Sequence, residues 1–172
     1  MLHRIRHVQE YEEPEELLEG EFEVDETFIG GKNKNKHWDK KERFDRGRST
    51  KTKTAVFGLL QRNGNVVAMP VETTGQKCLE PEIRSRVKEG STIYSDEWKA
   101  YKDLYKYYSH EIVLHSAKQY AKGNTHSNTI EGFWAILKRG IIGVYHSISK
   151  NHLQKYLNEF TYRYNQNYLK KI

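Results

Sequence analysis

The chain has 172 residues and 20.4 kDa, room for one domain of ordinary size; with 36% hydrophobic residues and a mean hydropathy of −0.91, its core is lean. Lys and Arg number 29 against 23 Asp and Glu, a formal charge of +6 and a pI near 9.2. No apolar run approaches the roughly 20 residues a membrane helix needs, Met1–Arg6 lacks a signal peptide's apolar stretch, and the lone Cys78 excludes an intramolecular disulfide or a four-cysteine zinc ribbon, so a reducing, cytoplasmic setting is expected.

In chain order, residues 1–19 read as a helix remnant, Leu2–Arg6, and an acidic linker broken by Pro14. Ten acids and no Lys or Arg fall in residues 10–26, which leaves 27 basic and 13 acidic residues, or +14, from position 27 onward. Glu21–Ile29 alternates as a strand, with Phe22, Val24 and Phe28 on one side, Glu23, Asp25 and Thr27 on the other, and Gly30-Gly31 as the stop. Residues 32–53 carry ten Lys or Arg against Asp39, Glu42 and Asp45 with no sustained periodicity, and read as a mobile basic loop.

Thr54–Leu60 is nearly all apolar and Val66–Met69 matches it, with Asn63-Gly64 between them as a hairpin turn; the first of these strands is expected to be central. Gln76–Lys88 carries Leu79, Ile83 and Val87 at helical spacing, and Pro81 is expected in its first turn or at its start. Thr92–Ser95 is a short strand ending at Asp96, Trp98–Tyr108 a helix and Glu111–His115 a strand. After a polar stretch, Asn128–Arg139 predicts a helix with an apolar stripe of Ile130, Phe133, Trp134, Leu137 and Ile141. Lys150–Asn165 predicts a last amphipathic helix that buries Leu153, Leu157, Phe160 and Tyr164.

Three antiparallel strands followed by alternating helix and strand describe an α/β chain with a ribonuclease H-like mixed sheet, in which the later strands pair in parallel. In that order the first and fourth strands are neighbours, which brings Asp25 and Asp96 side by side, and a helix laid across them brings Glu131 from the third side. Three converging carboxylates form an oxygen-only site that favours Mg²⁺ or Mn²⁺. Two such ions about 4 Å apart can activate a hydroxyl and stabilise the leaving oxygen of a phosphoryl displacement. Lys138 lies seven residues beyond Glu131, and seven steps of 100° return to within about 20° of the same direction, so it can hold a phosphate beside the metals; a solvated surface Lys is the plainer alternative. The cationic bulk of the chain suits a polyanion such as nucleic acid, because neutralised phosphates release counterions; a merely soluble basic surface is the plainer alternative.

Glu23-Val24-Asp25-Glu26-Thr27-Phe28-Ile29-Gly30-Gly31-Lys32, the block Ile93–Tyr101 around Asp96-Glu97-Trp98, and His126–Gly140 around Glu131-Gly132-Phe133-Trp134 resemble the catalytic blocks of ISXO-type DDE transposases of bacterial insertion sequences. The stretch from Tyr145-His146 to Tyr164-Asn165 is similar too, and the likeness covers about residues 20–166. It implies Asp25, Asp96 and Glu131 as a metal-binding triad in a ribonuclease H-like domain over 20–166, between the segment 1–19 and a tail at 167–172. The reaction it implies is strand cleavage at transposon ends, then attack of a 3′ hydroxyl on target DNA, with an oligomer expected on two DNA ends. The family usually carries a zinc ribbon and a helix-turn-helix ahead of this domain; this chain starts at what resembles the last helix of that region. A structure-selective nuclease and a catalytically silent DNA-binding remnant stand as alternatives.

For DNA contacts the sequence offers Lys138 and Arg139, Lys32, Lys34 and Lys36 of the basic loop, Trp38 as a stacking platform for an unpaired base, and His126 close to the metals. His37, His115, His126, His146 and His152 share no zinc-finger spacing. Trp134 reads as part of the core stripe, and Cys78, with no nearby His, as a buried or neutral thiol.

Overall fold

The computed structural model describes residues 16–31, 37–41, 52–113 and 128–169. Strand β2, Thr54–Gln61, lies inside the sheet, and its residues between the ends are all buried. Ala55, Phe57 and Leu59 enter one core cluster, while Val56 and Leu60 enter a second on the opposite face. A strand covered on both sides needs an unbroken apolar run rather than an alternating one, and that is what the sequence supplies.

On one side β2 pairs antiparallel with β3, Val66–Val71, through a turn in which Asn63 takes φ 57° and Gly64 N–H donates to Gln61 O at 2.9 Å. Asn tolerates this left-handed conformation better than most residues. β3 is an edge strand, so Pro70 fits within it although it donates no hydrogen bond. On the other side β2 pairs antiparallel with β1, Glu21–Ile29, which pairs in parallel with β4, Thr92–Ser95, and β4 in parallel with β5, Ser109–Ile112. The resulting order, β3-β2-β1-β4-β5, is that of the ribonuclease H-like α/β sheet expected from the sequence.

Helix α1, Gln76–Arg84, covers one face of the sheet through Leu79 and Ile83. Helices α2, Asn128–Gly140, and α3, Leu153–Leu169, cover the other with Ile130, Phe133, Trp134, Leu137, Leu153 and Leu157. The buried amide of Asn165 on α3 joins the β3 edge as another strand would: its Oδ1 accepts from Val66 N–H at 2.9 Å and its Nδ2 donates to Val66 O at 3.2 Å. Among the described residues no helix is long and apolar enough to cross a membrane.

Four local expectations change. The helix expected over 98–108 is two 3₁₀ turns, Lys99–Tyr101 and Leu104–Lys106. Tyr105, Tyr107 and Tyr108 are weak helix formers, and Tyr101, Leu104 and Tyr108 reach the core without a continuous α-helix. The helix expected over 76–88 ends at Arg84, with Pro81 in its second turn rather than its first; the fully buried Leu79 and Ile83 hold a helix that loses one internal hydrogen bond. Val87 instead bridges Leu18, with Leu18 N–H to Arg86 O and Lys88 N–H to Leu18 O both at 2.8 Å, so part of the acidic lead-in is built into the fold. The strand expected over 111–115 runs over 109–112. The helix remnant at 2–6, most of the basic loop, the polar stretch 118–127 and the last residues of the tail lie outside the described residues.

Candidate active site

β1 and β4 run the same way with Glu23 opposite Tyr94. Two residues further along each chain stand Asp25 and Asp96, the latter just past the end of β4, where open sheets form their crevices. Glu131 belongs to the first turn of α2, which packs across β1 and β2. The three carboxylates line one open cleft of about 760 Å³, together with Glu26, Glu97, Trp98, Trp134, Ala135 and Lys138. Glu131, Ala135 and Lys138 are spaced by four and three residues along one helical stripe, so α2 turns toward the cleft a face with a carboxylate at one end and an ammonium about 10 Å further on.

Burial pushes the Asp25 carboxyl up to about 6, and the charges of Asp96 and Glu131 push it the same way. The Glu26 backbone N–H and the Trp134 indole oppose that rise. Trp134 Nε1 donates to Asp25 Oδ2 at 3.0 Å, so this core residue also orients a candidate site residue. Gly58, opposite Asp25 in the β1–β2 register, makes room for the indole: a Cβ there would stand 2.4 Å from Trp134 Cζ2. Asp96 Oδ1 accepts the Trp98 backbone N–H at 2.9 Å, a local turn that holds the carboxylate just past β4 while the residue lines the cleft. The Tyr101 hydroxyl donates to Glu26 Oε1; burial, then the Glu26 charge, lifts Tyr101 well above the usual phenol range.

Sequence reasoning missed Glu23. The β1 face expected to be polar is covered by α2, and Glu23 is fully buried there. It accepts from Arg62 Nε at 3.0 Å, from Thr129 N–H and Oγ1 at 3.1 Å each, and from Ile130 N–H at 2.9 Å. One signal was available: Glu23 shares its strand face with Asp25, so whatever covers the one covers the other.

As a donor set, Asp25, Asp96 and Glu131 offer oxygen only, which suits a hard divalent cation, and the repulsion that raises Asp25 is what such a charge would relieve. Among the described residues no three His, Cys, Asp or Glu side chains are gathered closely enough to hold an ion as they stand. Lys138 lines the cleft, whereas Arg139 is exposed in the last turn of α2 and Trp38 is 79% exposed in a 3₁₀ turn, both apart from the cleft lining. Lys32, Lys34, Lys36 and His126 lie outside the described residues. A second groove, about 770 Å³ beside α1, is lined by Leu17, Pro81, Val87 and Tyr108 with charges of both signs at its rim.

Residues 17–165 match the ISXO2-like transposase domain. The chain is 29% identical over 167 residues to an uncharacterized protein in transposable element ISH50 of Halobacterium salinarum, covering 92% of this chain and 56% of that protein. It is 31% identical over 106 residues to an uncharacterized transposase-like protein of Haemophilus influenzae, covering 61% of this chain and 85% of that one. The chain therefore spans little more than half the length of the Halobacterium relative.

Proposed function

Because the chain belongs to the family of ISXO2-like transposases, we propose that it is the catalytic domain of a DNA transposase, cutting strands at element ends and joining the freed 3′ hydroxyl to target DNA. In this reading it works in the cytoplasm as an oligomer holding two DNA ends. The observation that carries the proposal is the sharing of one cleft by Asp25, Asp96, Glu131 and Lys138 on a chain whose bulk is cationic.

Mg²⁺, or Mn²⁺ in its place, held by Asp25, Asp96 and Glu131 would activate the attacking hydroxyl and stabilise the leaving oxygen. With its carboxyl at about 6, Asp25 is mostly ionised at neutral pH and ready as a donor. Trp134 fixes the orientation of that carboxylate through the bond to Oδ2. Lys138 brings positive charge to a phosphate lying along the α2 side of the cleft. Arg139 and the basic segment 32–53 add sequence-independent attraction for the DNA backbone.

The test is Asp96→Asn. Metal-dependent nicking of plasmid DNA is expected to vanish while retention on heparin stays nearly unchanged, because the substitution removes an oxygen donor and leaves the basic surface intact. Nicking that persists at the wild-type rate overturns the assignment. Joining of a 3′-hydroxyl oligonucleotide to a second duplex distinguishes a transposase from a nuclease of the same fold, and a wild-type chain that retains DNA without nicking it is the silent remnant.

A further inference from the structure

Glu23 is a buried acid with no part in the mechanism above. It is fully buried, and it accepts hydrogen bonds from Arg62 and from the start of α2, the helix that walls the cleft. The first N–H groups of a helix have no intrahelical acceptor, and the helix end favours negative charge. At α2 two of those groups, on Thr129 and Ile130, converge on Glu23 Oε2, while the Thr129 hydroxyl donates to Oε1. Arg62, itself largely buried, supplies the compensating charge: its Nε meets Glu23 Oε1, its Nη1 meets Glu21 Oε2 at 3.0 Å, and its guanidinium lies 3.7 Å from the Tyr94 ring centroid.

Each strand or helix of this network carries one member of the candidate triad a residue or two away. Glu23 is two residues before Asp25 on β1, Tyr94 two before Asp96 on β4, and Ile130 adjacent to Glu131 on α2. The geometry points to Glu23 as a positioning residue: with Arg62, its carboxylate fixes the start of α2, and therefore Glu131, against the two strands that carry Asp25 and Asp96. A neutral or shorter side chain leaves buried donors at the helix start without a full partner, and the first turn of α2 shifts or frays. The role rests on the metal-dependent reading of the cleft.

The experiment compares wild type, Glu23→Gln, Thr129→Val, Asp96→Asn and the remote Asn165→Ala, all as full chains, by Mn²⁺ titration followed by electron paramagnetic resonance and by amide hydrogen exchange. Glu23→Gln is expected to weaken Mn²⁺ binding roughly 10- to 100-fold, in the range of outer-shell substitutions, and to speed exchange at Thr129 and Ile130. Thr129→Val, which removes the hydroxyl alone, is expected to weaken binding by a smaller factor, and Asn165→Ala is expected to leave it unchanged despite lowering the melting temperature. Wild-type Mn²⁺ affinity in Glu23→Gln overturns the role of Glu23. If that variant fails to fold, wild-type affinity in Thr129→Val overturns it instead. Equal Mn²⁺ binding by wild type and Asp96→Asn overturns the metal reading and the positioning role together, which separates the two failures.

Discussion

Trp134 donates its indole N–H to Asp25 Oδ2 across 3.0 Å, joining two residues 109 positions apart in sequence. The bond holds Asp25 lower than burial and its acidic neighbours would leave it. Replacing Trp134 by Phe keeps most of the ring and removes the donor. The Asp25 carboxyl is then expected to titrate above its present value of about 6, followed by carboxyl-carbon NMR, with a loss of about 1–3 kcal/mol of stability in urea from the bond and the vacated volume. An unmoved Asp25 titration contradicts the bond.

Gly58 decides whether that indole can lie where it does. An added Cβ would stand 2.4 Å from Trp134 Cζ2 and 3.1 Å from Ile130 Cδ1, so Gly58→Ala has to push α2 off the sheet or turn the indole. The expected cost is about 1–3 kcal/mol, as for other overpacked cores, with near-ultraviolet dichroism reporting the moved tryptophan. A variant as stable as wild type shows that α2 has slack at this point.

Asp25 gives the metal-free protein a defined pH response. Its folded value of about 6 lies above the ordinary aspartate value of 3.8, so the folded state holds the proton more tightly than the unfolded chain. The penalty for ionising it is fully present above pH 6 and is relieved as pH falls toward 4. In chelator-treated samples Asp25→Asn is therefore expected to exceed wild type in stability by roughly 3 kcal/mol at pH 8. That advantage should disappear near pH 4. Denaturant titrations of both proteins across this range measure the difference, and a gap independent of pH contradicts the assignment.

Asn165→Ala removes both bonds from α3 to the edge of β3 and leaves the Val66 N–H and C=O without those partners in a buried setting. A loss of about 1–3 kcal/mol is expected, with faster hydrogen exchange confined to β3 and its hairpin. Uniform loss of protection across the sheet would mean that the amide supports the whole fold rather than its edge.

The strand order was readable because each strand's exposure is written in its alternation or its lack of one. The continuous apolar run of β2 announced a central strand, and Asn63-Gly64 announced its turn. The segment after Asp96 was misread because apolar residues at spacings of three and four serve successive 3₁₀ turns as well as a helix. Asp25 stood out as an acid within a strand, Asp96 at a strand end and Glu131 beside an apolar stripe. Glu23 did not, since a glutamate on the polar side of a strand looks solvated until the helix that covers it is known. Nothing in local pattern reveals that Thr129, 106 residues later, returns to meet it.

The separation of β1 from α2 along the chain also governs timing. The hairpin and β1 can associate as soon as they leave the ribosome, but the cleft lacks one wall until synthesis has run on from Val71, the end of β3, through Asn128–Gly140 and α2 has docked. A nascent or prematurely terminated polypeptide therefore lacks the α2 wall that carries Glu131 and Lys138, and the cleft stays open on that side.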